Sequence, residues 1–271
     1  MDFKQLDLKN RRYNFHSHTQ FCDGHAPMEA FAAAASAAGF SHYGFSPHSP
    51  VPIESPCNMS HDDVGAYLSE VDRLKGLYGS GTQFYASMEI DFLGPQWGPS
   101  SAYFDSLPLD YRIGSVHFIP SQDGELVDID GRFESFRRKM SRNFRNDIRY
   151  VVNTFFDQSL EMLSRGGLDI IGHYDKVSHN ASHFHPGLEQ EGWYVDRLNG
   201  LTDEIIKSGV AVEINTKQWT DHHRMFPAIG MWRRLIDSGV TILVNSDAHY
   251  PELIDASRKL AFLMLDSLEN R

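Results

Sequence analysis

The stretch that decides the fold of this chain is Y-N-F-H-S-H-T, residues 13–19. A short run of β-forming residues ends there in His16 and His18, which lie two positions apart. Side chains at i and i+2 of a strand point to the same face, so both imidazoles can reach one metal ion. An isolated H-x-H motif is more often a pair of surface or turn histidines, so the remaining sequence must decide between the two interpretations.

Outward from this stretch, β-rich runs alternate with longer helical runs. Predicted strands cover residues 13–17, 42–46, 84–92, 112–119, 168–172, 210–215 and 240–246. Predicted helices cover residues 27–38, 61–78, 134–164 (with a candidate break near Ser141), 194–207, 228–237 and the segment from Pro251 onward. About seven β/α units follow from this order, which predicts one α/β domain over residues 1–271. A barrel one unit short of eight and an open doubly wound sheet both fit.

Six of the seven predicted strands carry a histidine or carboxylate at or near their C-terminal end. After residues 13–19, these are His48, Glu89 with Asp91, His117, His173 with Asp175, and Asp247 with His249. Each alone is a weak signal, but the C-terminal ends of parallel strands form one face, where active sites are built. The joint pattern therefore predicts a metal site at that face.

The ligand types limit the chemistry of this site. Imidazole with carboxylate and no thiolate suits Zn, Mn or Fe. The candidate ligands exceed one tetrahedral set, which predicts two or three ions. Clustered ions activate water and hold both the attacking and the leaving oxygen of an in-line displacement. The sequence therefore predicts hydrolysis of a phosphate monoester by a metal-bridging hydroxide, with a small phosphorylated molecule as the substrate.

Composition excludes several other classes of protein. The chain has 25 Lys+Arg against 36 Asp+Glu, a net charge of -11, which argues against binding to nucleic-acid backbone or an anionic membrane. Two cysteines cannot form a disulfide scaffold or a Cys-type zinc module. The N-terminus has no apolar leader, and no apolar run approaches ~18 residues, so we expect a cytoplasmic soluble protein. The oligomeric state cannot be deduced from these features.

As an ordered set, the motifs H-S-H-T (16–19), His48, Glu89, His117, G-H-Y-D (172–175) and S-D-A-H (246–249) resemble the PHP (polymerase and histidinol phosphatase) family. The resemblance spans Phe15 to His249, and the segments 18–22 and 213–217 are most similar to histidinol-phosphate phosphatases. It implies a distorted (β/α)7 barrel with a trinuclear metal centre at the C-terminal ends of the strands. It further implies hydrolysis of L-histidinol phosphate to L-histidinol and phosphate in histidine biosynthesis.

The resemblance also implies a ligand set. The first metal would be held by His16, His18, Glu89 and Asp247, and Glu89 would bridge to a second metal held by His117 and His173. A third would be held by His48, His249 and Asp23, with His25 as the alternative to Asp23. Glu89, Asp247 and His249 are the implied catalytic residues. The chain departs from the family at Ser46-Pro47, where an acidic residue usually precedes the histidine.

Substrate contacts are predicted from the loops after the strands. Arg224 and Lys217 follow the sixth strand, and Arg224 offers a bidentate fork for phosphate. His179 lies in a predicted substrate-covering loop after the fifth strand. Asp175 either orients a ligand imidazole or caps a helix.

Other functions compete with this prediction. The nearest is a PHP phosphoesterase acting on nucleotides or short oligonucleotides. An amidohydrolase ranks lower, because the candidate bridging carboxylate lies on the third strand and the late motif pairs Asp247 with His249. A non-catalytic metal-binding module would usually have lost ligands, whereas nearly the full set is present here.

Overall fold

The computed structural model describes residues 1–79 and 81–270. The strands in these residues are β1 Tyr13–Asn14, β2 His42–Phe45, β3 Gln83–Asp91, β4 Tyr111–Ser115, β5 Phe118–Pro120, β6 Leu126–Asp128, β7 Ile170–Ile171, β8 Ala211–Asn215 and β9 Ile242–Asn245. The α-helices are α1 Met28–Ala37, α2 Val64–Tyr78, α3 Ala102–Asp105, α4 Phe133–Asn143, α5 Ile148–Arg165, α6 Val177–Phe184, α7 Gly192–Ser208, α8 Trp219–His222, α9 Trp232–Ser238 and α10 Arg258–Glu269. Short 3-10 turns lie at Phe3–Gln5, His61–Asp63, Leu188–Gln190, Ile229–Met231 and Pro251–Leu253.

Seven of the strands form one parallel sheet in the order β1-β2-β3-β4-β7-β8-β9. Within this sheet, each strand lies beside the sheet strand that precedes it in the chain, the order expected when β/α crossovers are laid side by side. The sheet then curls until its edges meet, where Ser17 pairs in parallel with Ala248 and the His18 amide donates to the Ala248 carbonyl at 2.8 Å. The predicted distorted (β/α)7 barrel is therefore confirmed, and the doubly wound alternative is wrong.

Side chains complete the seam between β1 and β9. The amide of Ser246 donates to Asn14 Oδ1 at 3.0 Å, and the amide of Phe15 donates to Asn245 Oδ1 at 2.9 Å. The buried Arg258 donates to the carbonyls of Val244 and Tyr13. These bonds satisfy backbone groups that a regular strand ladder would pair, which is a requirement in a buried seam.

Aromatic side chains fill the barrel below the C-terminal face. Phe15 packs against both Tyr85 and Tyr111, and the Tyr111 hydroxyl donates to the Phe15 carbonyl. Gly44 makes this packing possible, since a Cβ there would lie 1.9 Å from the Tyr111 hydroxyl. The interior is thus solid at one end and polar at the other, as in other β/α barrels.

Two segments differ from the sequence-based expectations, and a third agrees closely with them. The predicted strand 112–119 is two strands. β4 ends at Ser115, after pairing with β7 only through Ile113 and Gly114, and the chain then turns into the antiparallel hairpin β5–β6. The predicted helix 134–164 is two helices, with the break after Asn143, close to the expected position near Ser141, and α5 restarts where Asp147 accepts from the Tyr150 amide at 2.9 Å. The predicted loop containing His179 is the helix α6. Every helix in residues 1–79 and 81–270 is too short or too polar to cross a membrane.

Candidate metal centre

The nine side chains that the resemblance names as ligands converge at the C-terminal ends of the barrel strands. Among the described residues, three sets place one ligand atom per residue within 4.8 Å of one another: His16, His18 and Asp247; His48, Glu89 and His117; and His18, Asp23, His48 and His249. We call His16, Glu89, His117, His173 and Asp247 the floor and Asp23, His48 and His249 the rim; His18 lies between them. Floor side chains are at most 6 % exposed, whereas those of the rim are 12–29 % exposed.

Glu89 lies at the middle of the cluster, and one of its oxygens faces three imidazoles, two that follow β1 and one that follows β2. Oε2 is 3.3 Å from His16 Nε2, 3.5 Å from His18 Nε2 and 3.2 Å from His48 Nδ1. Alternation along β3 turns Ser87, Glu89 and Asp91 to the same face. The sheet register therefore points this carboxylate into the barrel.

The other oxygen of Glu89 faces a different pair of imidazoles. Oε1 is 2.8 Å from His173 Nε2 and 3.5 Å from His117 Nε2, and it also accepts from Ser115 Oγ at 2.7 Å. One carboxylate thus offers each oxygen to a separate group of nitrogens. This arrangement is suited to bridging two cations.

At the rim, Asp23 approaches three histidines. Its Oδ1 is 3.5 Å from His18 Nδ1, 3.3 Å from His249 Nε2 and 3.9 Å from His48 Nε2. His25, the alternative to Asp23, instead stacks on Tyr250 with ring centroids 4.4 Å apart.

Gly24 allows the loop after β1 to bring Asp23 to this position. The amides of Cys22 and Gly24 both donate to the carbonyl of Thr19, which makes a tight turn. A Cβ at position 24 would lie 2.3 Å from the Thr19 backbone nitrogen. Glycine is therefore required by close approach of the chain to itself.

Two further carboxylates stand behind the floor histidines, and the sequence analysis did not identify either role. Glu213 Oε1 is 2.6 Å from His16 Nδ1, and Asp91 Oδ1 is 2.8 Å from His117 Nδ1. Such contacts fix the tautomer and orientation of a ligand imidazole. Asp91 could have been recognised from its i+2 spacing to Glu89, and Glu213 from its position on a buried strand beside the cluster.

Glu213 is itself held by three strands. It accepts from the His173 amide at 3.1 Å and from the side-chain amides of Asn215 and Asn245, each at 3.1 Å. A fully buried carboxylate that accepts from this many donors keeps its charge. Burial alone would raise the pKa of Glu213, but the charge of His16 outweighs burial and lowers that pKa. Its position is therefore set by the barrel rather than by a flexible loop.

The electrostatics of the floor favour ionised carboxylates. Burial opposes ionisation, but the charges of His16, His117 and His48 hold the pKa of Glu89 well below its usual range. Burial likewise opposes the charge of Asp247, yet Lys217 and His16 hold its pKa low. Anionic oxygens are thus available in a site from which water is largely excluded, where cations bind strongly.

The cluster has the properties of a site for divalent ions. The described residues provide no hydrogen-bond partner for five buried polar atoms that face it: His16 Nε2, His18 Nε2, Asp23 Oδ1, His48 Nδ1 and His117 Nε2. Buried polar atoms without partners are rare in folded proteins and indicate a missing ion or ligand. Ligands about 2.1 Å from a tetrahedral metal lie roughly 3.4 Å apart, and the contacts of Glu89 Oε2 at 3.2–3.5 Å fit that spacing.

The centre opens into a cleft of about 1590 Å³. Lys217 lines it, with Nζ 3.3 Å from Asp247 Oδ1, and His179 lines it from α6. Lys176, which the sequence analysis passed over, lines it as well. The predicted phosphate fork Arg224 is placed elsewhere: its guanidinium donates to the Glu189 carboxylate at 2.6 and 3.0 Å and also to Ser178.

Asp175 lies behind the cleft and makes structural bonds. Its Oδ2 accepts from the amide of Ala228 at 2.8 Å, and its carbonyl accepts from the Ser178 amide at 3.0 Å in the turn that opens α6. Neither predicted role is observed among the described residues: α6 begins after Lys176 without a side-chain cap, and the Asp175 carboxylate bonds to the Ala228 amide rather than to an imidazole.

Comparison with known proteins agrees with this geometry. The model of the PHP domain matches residues 14–217. HisK of Listeria monocytogenes, named as a histidinol phosphatase, is similar with a TM-score of 0.80 at 17% identity, over 92% of this chain and 99% of its own. Histidinol phosphate phosphatase (HisK) of Lactococcus lactis, solved with Zn, L-histidinol and phosphate, has a TM-score of 0.68 at 18% identity, over 94% of this chain and 93% of its own.

No curated protein matches the chain. The two solved structures support the fold, and the family model spans more than half of the chain, including the strands that carry most of the cluster. The resemblance noted from the motifs is therefore confirmed, and the chain belongs to the PHP domain family.

Proposed function

We propose that this protein is a metal-dependent phosphatase that hydrolyses phosphate monoesters. The observation that carries the proposal is the set of buried nitrogen and oxygen atoms around Glu89 that have no hydrogen-bond partner among the described residues, in a centre that opens into a large cleft. Such a set is explained by two or three divalent ions, with Zn, Mn or Fe suited to its imidazole and carboxylate donors.

The proposed ligands are those of the three sets, together with His173. His16, His18, Glu89 and Asp247 would hold one ion; Glu89, His117 and His173 a second; and Asp23, His48 and His249 a third. When bound, ions at such a centre lower the pKa of coordinated water towards ~7 and offset charge on the phosphate oxygens. Glu89, Asp247 and His249 are the proposed catalytic residues.

The remaining residues of the site prepare the ligands. Because the Nδ1–H of His16 donates to Glu213, its Nε2 is the nitrogen that faces the cluster. Asp91 fixes His117 in the same way. Ligands that are already oriented need no reorganisation when the substrate arrives, and this preorganisation is a large part of electrostatic catalysis.

For the substrate, L-histidinol phosphate is the first candidate, which would place the protein in histidine biosynthesis. The similarity to the Lactococcus HisK solved with L-histidinol and phosphate supports this choice. The cleft also offers Glu54 and Asp221, whose carboxylates suit a cationic amine and imidazole. Lys217 and His179 are the proposed substrate contacts from the loop after β8 and from α6.

A second candidate is a nucleotide or short oligonucleotide. Arg138 and Arg142 of α4 line the cleft, and neither forms an ion pair with any described residue. The volume of about 1590 Å³ also exceeds the 300–1,000 Å³ that is usual for small-molecule sites. An anionic substrate longer than histidinol phosphate would reach this wall.

Steady-state kinetics separate the candidates. Protein stripped with chelator and reloaded with Zn²⁺ or Mn²⁺ is assayed on histidinol phosphate, a nucleoside monophosphate and a dinucleotide monophosphate. We expect hydrolysis only after reloading and the highest kcat/KM for histidinol phosphate. Arg138→Ala should leave kcat/KM for histidinol phosphate unchanged. If a nucleotide is the substrate, the same variant should lower kcat/KM for that nucleotide. Full activity without metal would reject the proposed function.

A further inference from the structure

Lys176 is a buried cation beside the proposed metal centre. Only 12% of its side chain is exposed, and that part lines the cleft together with Glu89, His117 and Asp247. Its Nζ lies 2.7 Å from Asp130 Oδ2. A lysine is almost never buried to this degree unless it is paired, so its position needs an explanation beyond chance.

The local structure holds Lys176 close to the cluster. Its amide donates to the carbonyl of His173 at 2.9 Å, so the proposed ligand and the lysine belong to one hydrogen-bonded turn between β7 and α6. Asp130 follows β6, and its amide donates to Asp128 Oδ1 at 2.7 Å, which orders the end of the hairpin. The lysine is therefore oriented from both sides of the cleft.

The charge of Lys176 survives burial. Desolvation opposes it, but the carboxylate of Asp130 lies 2.7 Å from Nζ and offsets that cost as an ion pair. Lys217 differs, because its Nζ is close to two proposed ligands, 3.3 Å from Asp247 Oδ1 and 3.2 Å from His249 Nε2. The partner of Lys176 is not a proposed ligand, and its ammonium can serve the substrate alongside the proposed contact Lys217.

We propose that Lys176 binds the phosphate group of the substrate and that Asp130 is the positioning residue that aims it. An ammonium group has three donors, of which Asp130 takes one and two remain for phosphate oxygens. Lys176 thereby takes the role that the sequence suggested for Arg224, whose guanidinium is bound by Glu189 and Ser178. The inference rests on the proposed phosphatase function.

The test measures binding of inorganic phosphate to the zinc-loaded protein by calorimetry, together with metal content and kinetics. Lys176→Met should raise the phosphate Kd about 10-fold or more, because a charge-assisted contact is lost. Metal content should not change. Lys139→Met is the matched control, since Lys139 lines the same cleft and pairs with Asp128 at 2.8 Å but is not next to Glu89. This control should keep the wild-type phosphate Kd.

Two further variants separate a binding role from a folding role. Lys176→Met combined with Asp130→Asn leaves no unpaired carboxylate at this position and should fold, yet bind phosphate as weakly as Lys176→Met. Asp130→Asn alone should raise KM more than it lowers kcat, because the Lys176 ammonium is no longer oriented towards the phosphate. An unchanged phosphate Kd in a metal-replete Lys176→Met protein would overturn the role of Lys176. Phosphate binding without hydrolysis of any monoester would overturn the phosphatase proposal alone.

Discussion

The floor and the rim of the cluster use the same ligand types but are supported differently. Floor histidines His16 and His117 each place their second nitrogen against a carboxylate that is not a proposed ligand, Glu213 or Asp91. In the described residues, the rim histidines His48 and His249 have no such carboxylate; His249 Nδ1 lies 3.0 Å from the Asp247 backbone carbonyl. Support of this kind commonly changes metal affinity by 10- to 100-fold. We therefore expect the ions held by floor residues to bind tightly and the ion held by rim residues to exchange first.

The largest expected effect comes from the residue that both floor ions would share. Glu89→Gln removes a charge between two groups of imidazoles, so both floor ions should be weakened at once. We expect kcat/KM to fall on the order of 10³-fold or more and more than one ion per chain to be lost on dialysis. Metal analysis and phosphomonoester kinetics on the same sample measure both. If Asp23→Asn lowered kcat/KM and metal content as much as Glu89→Gln does, the proposed difference between floor and rim would be contradicted.

The next effect tests the support of the floor directly. Glu213→Gln keeps the shape of the side chain but weakens its hold on His16, so metal affinity should fall by roughly 10- to 100-fold. Competition with a chromophoric chelator reports this affinity. Glu204→Gln is the control, because Glu204 of α7 is exposed and contacts Lys207 at 3.3 Å. If the two variants bound metal equally well, the carboxylate behind His16 would have no role in the site.

The smallest effect is expected at the rim. Asp23→Asn should cost one ion and about 10-fold in kcat/KM, because His48 and His249 remain while the only rim carboxylate is neutralised. Timed chelation should show this ion leaving the wild type before the others. Simultaneous loss of all ions from both proteins would mean that the cluster behaves as one unit.

The barrel and the cluster were predictable for a simple physical reason. Parallel strands bring their C-terminal ends to one face, so His16, Glu89 and Asp247 were expected to meet although they are far apart in the sequence. The same rule could not place side chains that reach the cluster from outside the strand ends. Arg224 looked like a phosphate ligand from its loop, but Glu189 on another segment binds it.

Lys176 is the opposite of Arg224, because the structure places it at the cleft although no sequence pattern indicates a role for it. In the sequence it is an ordinary charge after G-H-Y-D, and its significance depends on Asp130, which lies 46 positions earlier. Asp130 is near it only because the chain leaves the sheet after Ser115 and forms the hairpin β5–β6, of which the predicted strand 112–119 includes only the first two residues. Partners brought together by tertiary structure alone leave no local pattern to recognise.

The central claim is that this cluster binds several divalent ions and that they are required for phosphate monoester hydrolysis. One purified sample, reloaded with Zn²⁺ and freed of excess ion, is analysed for metal per chain and for turnover of histidinol phosphate during stepwise chelation. We expect two or three ions per chain. The first ion should leave readily, and turnover should reach zero before the last ion is removed. Fewer than one ion per chain, or turnover that persists in the metal-free protein, would contradict the central claim.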